Sequence, residues 1–193
     1  AERFPDRFVD VGICEEYVVT AAAGMAYNGL KPVVCIYSTF LQRAYDQIVT
    51  DVCMQNLPVV FLLDRSGFVG SDGKTHQGLL DLGYLRGIPG LTVLAPKNTD
   101  ELKQMLLYAV NCGKPVAIRY CNGACEKIET DCGRIFEKPA EWEVIKAGNK
   151  AVVFAVGNRM NGLALRTAKK FGDGVAVVNA RSVKPLDNKT LDL

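Results

Sequence analysis

Apolar runs of strand length recur along this chain, separated by helix-length segments, and that alternation decides most of what it can fold into. The runs lie at 33–37, 59–63, 91–95, 116–120, 151–156 and 175–179. A short run that is apolar almost throughout suits a strand covered on both faces, as parallel strands are. The segments between them read as helices. Leu41, Ala44, Tyr45, Ile48 and Val52 fall at three- and four-residue steps, so the helix predicted over 40–54 carries one apolar face. Helices are also predicted over 79–85, 100–111 and 160–171, with Asn98 or Thr99 capping the one at 100–111. Strand and helix in alternation predict an α/β fold of parallel sheets with helical crossovers.

The first stretch reads as a short strand over 8–11, a turn at Gly12 and a helix opening near Cys14. Glu15 and Glu16 begin that helix, where carboxylates face the positive end of its dipole. A second reading puts Glu15 at the C-terminal edge of a parallel sheet, where α/β proteins hold ligands. Ser38 or Thr39 is expected to cap the next helix, with Gln42 completing a capping box. The loop at 64–78 is rich in glycine and polar residues and holds the only histidine. It is too long for a mere connector. Residues 121–141 read as mixed linker, and a second unit begins near Trp142.

Composition excludes several classes. The chain has 193 residues, 23 basic and 21 acidic, for a net charge of +2, which gives no reason to expect nucleic acid or a membrane surface as partner. No apolar run nears the roughly 20 residues of a membrane span. Seven cysteines, several inside apolar runs, suggest reduced thiols and a cytoplasmic protein. Cys121, Cys125 and Cys132 lie close together, but their spacing fits no zinc pattern. No metal ligands are expected here. The chain has no initiator Met, and both ends look like interrupted elements, so a piece of a longer protein is expected.

The phosphate-binding glycine motifs and the G-x-S-x-G nucleophile elbow are absent. What remains is a set of polar and aromatic groups at the predicted C-terminal ends of successive strands. They are Glu15, the turn from Tyr37 to Phe40, the Asp64-Arg65 pair, and Asp72 with His76. Taken singly, Phe40 reads as core, Arg65 as a loop salt bridge and His76 as a loop hydrogen-bonder. Together they suit an aromatic cofactor and an anionic substrate.

Three long motifs carry a resemblance. They are Phe4-Pro-Asp-Arg-Phe-Val-Asp-Val-Gly-Ile-Cys-Glu15, Tyr37-Ser-Thr-Phe-Leu-Gln-Arg-Ala-Tyr-Asp-Gln47 and Asp64-Arg-Ser-Gly-Phe-Val-Gly-Ser-Asp-Gly-Lys-Thr-His-Gln-Gly78. They resemble the 1-deoxy-D-xylulose-5-phosphate synthases, thiamine-diphosphate enzymes of the transketolase superfamily. The likeness continues through Tyr84-Leu-Arg-Gly-Ile-Pro89 and Val183-Lys-Pro-Leu-Asp187. It implies a pyrimidine-binding domain over 1–123 without its first strand and helix, a linker over 124–141, and the start of the transketolase C-terminal domain over 142–193. The implied reaction condenses pyruvate with glyceraldehyde 3-phosphate, releases carbon dioxide, and feeds isoprenoid, thiamine and pyridoxal synthesis. The implied cofactors are thiamine diphosphate and Mg2+, the metal held by a domain outside this chain. A homodimer is implied, and an isolated piece of this extent is expected to be inactive.

The resemblance also assigns roles. Glu15 would hydrogen-bond a ring nitrogen of the aminopyrimidine, Phe40 would stack on that ring, and Arg43 would sit beside it. Tyr37 and Arg65 would bind substrate, and Asp72 and His76 would line the reacting centre. Two departures stand out. The family's Ala-Glu-Gln-His reads Cys14-Glu-Glu-Tyr17, and its Arg-Tyr-Pro-Arg-Gly reads Arg119-Tyr-Cys-Asn-Gly123. Asn122 has neither the charge nor the fork of an arginine for an acceptor phosphate. A paralogue acting on another acceptor, and a non-catalytic structural homologue, therefore stand as alternatives.

Overall fold

The computed structural model describes residues 2–128 and 136–192. After a 3-10 turn at Pro5–Arg7 come α1 (Glu15–Tyr27) and β1 (Val33–Tyr37). A continuous but uneven helical stretch follows: α2 (Ser38–Leu41), a 3-10 turn (Gln42–Ala44), α3 (Tyr45–Gln47) and a π-helical turn (Ile48–Cys53). Then come β2 (Val60–Asp64), α4 (Asp81–Gly87), β3 (Thr92–Leu94), α5 (Thr99–Asn111) and β4 (Val116–Arg119). The remainder is β5 (Glu143–Lys146), β6 (Ala151–Ala155), α6 (Asn158–Lys169), β7 (Val175–Asn179), β8 (Ser182–Lys184) and α7 (Asn188–Leu191).

The larger sheet has the order β1-β2-β4-β3-β8. Its first four strands are parallel, and β8 pairs antiparallel with β3. Side chains alternate across it. Phe61, Leu63, Val93 and Ala117 point into one layer with Val19, Ala22, Ala23 and Ala26 of α1 and Leu41, Ala44, Ile48 and Val52 of the uneven stretch. Val60, Leu94, Val116 and Ile118 point into the other, against Met105 and Ala109 of α5. Small residues on α1 let that helix lie close to its neighbours. Full burial of Phe61 or Leu63 stabilises by roughly 1.5–3 kcal/mol each.

The smaller sheet has the order β5-β7-β6, with β6 and β7 parallel and β5 antiparallel. Between the sheets lies a buried polar layer. Lys97 bonds Glu143, and Arg181 reaches Glu101 at 3.1 Å and Glu143 at 2.9 Å. Asn179 donates to both Glu101 oxygens at 3.2 and 3.3 Å.

Several local expectations differ. Residues 8–11 form no strand, and Phe8 and Val9 are exposed. No ladder satisfies their backbone, which is what would make them a strand. Tyr37, not Ser38 or Thr39, takes the cap position of α2, and no side chain caps that helix. Thr39 instead donates to the Thr75 carbonyl at 3.3 Å, tying the helix start to the long loop. Asn98 does cap α5, accepting from the Glu101 N–H at 2.9 Å. Cys132, weighed with Cys121 and Cys125 as a metal site, lies outside the described residues; those two are free thiols.

Candidate active site

α1 carries Glu15 at its first position, where burial leaves the residue only 7% exposed. Arg43, in the 3-10 turn after α2, donates from Nη1 to Glu15 Oε1 at 2.7 Å. The same guanidinium lies 5.1 Å from the Phe40 ring centroid. Phe40 stacks on Tyr37 with centroids 5.4 Å apart and meets His76 edge-on at 5.2 Å. Tyr37 ends β1, and Arg65 covers its ring at 3.9 Å. Arg65 follows β2 and donates to Asp72 Oδ2 at 2.6 Å and Asp64 Oδ2 at 2.8 Å. Glu15, Arg43, Phe40, Tyr37, Arg65, Asp64, Asp72 and His76 therefore belong to one connected chain of contacts.

Two local features hold this arrangement, and neither was legible beforehand. Arg65 has φ +58°, a left-handed conformation that strains a residue with a Cβ. Its backbone N–H and its guanidinium both bond Asp64, which pins it there. The Asp72 hydrogen bond, first among several causes, raises the Arg65 pKa, so its charge is fixed. Gly78 closes the loop. A Cβ there would stand 2.2 Å from the Arg65 carbonyl and 2.7 Å from Ser38 Oγ, so the backbone can approach only without a side chain. Gly67 and Gly78 exchange backbone bonds at 2.7 and 2.9 Å, cinching the segment that carries Asp72 and His76. The partly buried Tyr84 donates from its hydroxyl to the Ser38 carbonyl at 3.3 Å, at the start of α2.

A cleft of about 540 Å³ opens on the Glu15 side, lined by 7–15, β1, Phe40 and Arg43. It could admit a planar ring to a buried carboxylate and two aromatic faces. Arg43 takes one Glu15 oxygen, and a carboxylate has a second. Among the described residues, no three His, Cys, Asp or Glu side chains gather as a metal site would need.

Residues 1–126 match the transketolase pyrimidine-binding domain, and the chain belongs to that family. Its relatives narrow the class. The chain is 53% identical to the 1-deoxy-D-xylulose-5-phosphate synthase of Carboxydothermus hydrogenoformans, over 100% of its own length and 31% of that protein. It is 52% identical to the synthase of Syntrophus aciditrophicus (99% and 30%) and 50% identical to that of Aquifex aeolicus (99% and 31%). It thus spans about a third of the curated relatives it matches. Among solved structures, a split-gene transketolase described as an inactive beta4 tetramer superposes with TM-score 0.86 at 27% identity. That match covers 100% of this chain and 63% of the other. A Campylobacter jejuni transketolase has the same fold, with TM-score 0.80 at 20% identity, over 94% and 29%.

Proposed function

We propose that the protein containing this chain is a thiamine-diphosphate-dependent 1-deoxy-D-xylulose-5-phosphate synthase. It condenses pyruvate with glyceraldehyde 3-phosphate, releases carbon dioxide and supplies isoprenoid synthesis. About 50% identity to synthases along the whole chain favours this over the paralogue and non-catalytic alternatives. The observation that carries it is the buried Glu15 carboxylate at the head of the aromatic pair.

When bound, thiamine diphosphate supplies a nucleophilic carbon that makes decarboxylation of pyruvate feasible. Glu15 hydrogen-bonds the pyrimidine ring nitrogen, with Arg43 orienting its carboxylate. Phe40 presents its ring to the pyrimidine. Asp72 and His76 line the reacting centre, and Tyr37 and Arg65 position substrate. Mg2+ is bound by a part of the protein outside this chain.

The residues fit such a ring on two counts: one carboxylate oxygen remains for it, and the cleft is wide enough. Residues 1–123 then serve as the pyrimidine-binding unit, 124–141 as linker and 142–193 as part of the C-terminal unit. The protein works in the cytoplasm, in keeping with the free thiols among the described residues, and acts as a homodimer. A piece of this extent alone is inactive; the split-gene transketolase described as inactive is a parallel. The test supplies the complete protein with thiamine diphosphate, Mg2+, pyruvate and glyceraldehyde 3-phosphate. Carbon dioxide and 1-deoxyxylulose 5-phosphate should appear together, and failure of both contradicts the reading.

A further inference from the structure

Arg159 lies in the first turn of α6, far in sequence from every residue of the candidate site. Its guanidinium nonetheless reaches the larger sheet's C-terminal edge. Nη1 donates to the Phe68 carbonyl at 2.8 Å, within the loop that carries Asp72 and His76. Nη2 donates to the Asn122 carbonyl at 2.9 Å, in the segment leaving β4. The Cys121 thiol is a third neighbour. These partners are uncharged, and none of the ion pairs among the described residues involves Arg159. A guanidinium has five N–H donors, so some remain after the two carbonyls are served.

The other arginines near this edge are differently placed. Arg43 is paired with Glu15, and Arg119 makes two bonds to the buried Asp81 at 2.8 and 3.2 Å. Arg65 is engaged by two carboxylates, Asp64 and Asp72. At Arg159 an incoming anion meets a cation fixed by two backbone carbonyls and paired with no carboxylate among the described residues. A cavity of about 350 Å³ opens beside it, with Ser66, Gly67, Gly78 and Arg119 in its wall and no carboxylate among its lining residues. Its volume suffices for a phosphate-sized group.

We propose that Arg159 is a substrate-binding residue that recognises the phosphate monoester of the acceptor aldehyde. The proposal rests on the synthase reading for the identity of the acceptor. It also answers the substitution at 122: the side chain there is uncharged, while its own carbonyl holds an arginine that arrives from another helix.

The test uses the complete protein and its Arg159→Met and Arg159→Lys variants. Two acceptors are compared, glyceraldehyde 3-phosphate and unphosphorylated glyceraldehyde. Loss of one charged hydrogen bond to phosphate should cut the preference in kcat/KM for the phosphorylated acceptor roughly tenfold to a hundredfold in Arg159→Met. Arg159→Lys should recover part of it. An equal change toward both acceptors, or no change, would mean that Arg159 is only a tether, and would overturn the proposal. Calorimetric titration with inorganic phosphate gives an answer even if turnover is absent and the synthase reading fails. Binding that weakens in Arg159→Met supports the anion site, and identical titrations of wild type and variant contradict it.

Discussion

Arg43 and Glu15 meet across 28 residues of sequence at 2.7 Å, the Glu15 side chain 8% exposed and the Arg43 side chain 50%. The half-exposed partner limits what the pair adds to stability, about 0–1 kcal/mol. Its larger effect is to orient a carboxylate. Arg43→Met should lower the melting temperature by only a few degrees and weaken thiamine diphosphate binding roughly tenfold, on the scale of one charged hydrogen bond. Thermal unfolding and a cofactor titration of the complete protein check the two halves separately.

The long loop should be sensitive at Gly78 and tolerant nearby. Gly78→Ala puts a methyl group 2.2 Å from the Arg65 carbonyl, which must move. A loss of 2 kcal/mol or more is expected, about the upper part of the range for an overpacked site. Gly83, inside α4, has nothing within 4 Å of an added Cβ and no left-handed φ. Gly83→Ala should stabilise by up to about 1 kcal/mol. Urea unfolding of both variants decides whether close approach or general loop strain is the cause.

Arg65→Gly separates strain from function. It removes a left-handed arginine, worth about 1 kcal/mol, together with side-chain bonds to Asp64 and Asp72 worth a similar amount each. Stability should therefore change little or fall modestly, while turnover falls by at least tenfold. Circular dichroism alongside steady-state kinetics would show the two readouts parting.

The buried polar layer between the sheets should not tolerate loss of one member. Arg181 is 2% exposed and faces both Glu101 and Glu143, with Lys97 and Asn179 around them. Arg181→Met leaves two buried carboxylates sharing the Lys97 ammonium, and should cost about 3–5 kcal/mol. Denaturant titration measures it directly.

Asp187 gives a pH signature. Burial alone would raise its pKa, but bonds from the Thr190 hydroxyl and from the Trp142, Thr190 and Lys189 N–H groups outweigh it and hold the carboxyl below its ordinary value. A carboxyl depressed in the folded state stabilises the fold above its unfolded pKa, about 3.9. That contribution is lost as pH falls through the lower folded value. The wild type should therefore lose stability more steeply below about pH 4 than Asp187→Asn does. Melting temperatures of both proteins between pH 6 and pH 3 provide the comparison.

The central strands were readable because apolar runs such as 59–63 must be covered on both faces. The contact chain around Phe40 was readable because strand ends of a parallel sheet converge. β5 and β8 escaped notice: Glu143 and Ser182 are buried and polar, so their sequence carries no apolar alternation. The uneven helical stretch after β1 looked regular, since its apolar steps survive the change from 3-10 to π geometry. Arg159 left no local signal at all. Its importance comes from where α6 sits against the loop at Phe68 and Asn122, a tertiary fact.

The decisive measurement is carbon dioxide release from pyruvate by the complete protein carrying Glu15→Gln, with thiamine diphosphate and Mg2+ present. The variant keeps the size of the side chain and a partner for Arg43, so the fold should persist by circular dichroism. If Glu15 acts on the pyrimidine ring, release falls by roughly two to four orders of magnitude. Release at the wild-type rate from a folded variant would contradict the account.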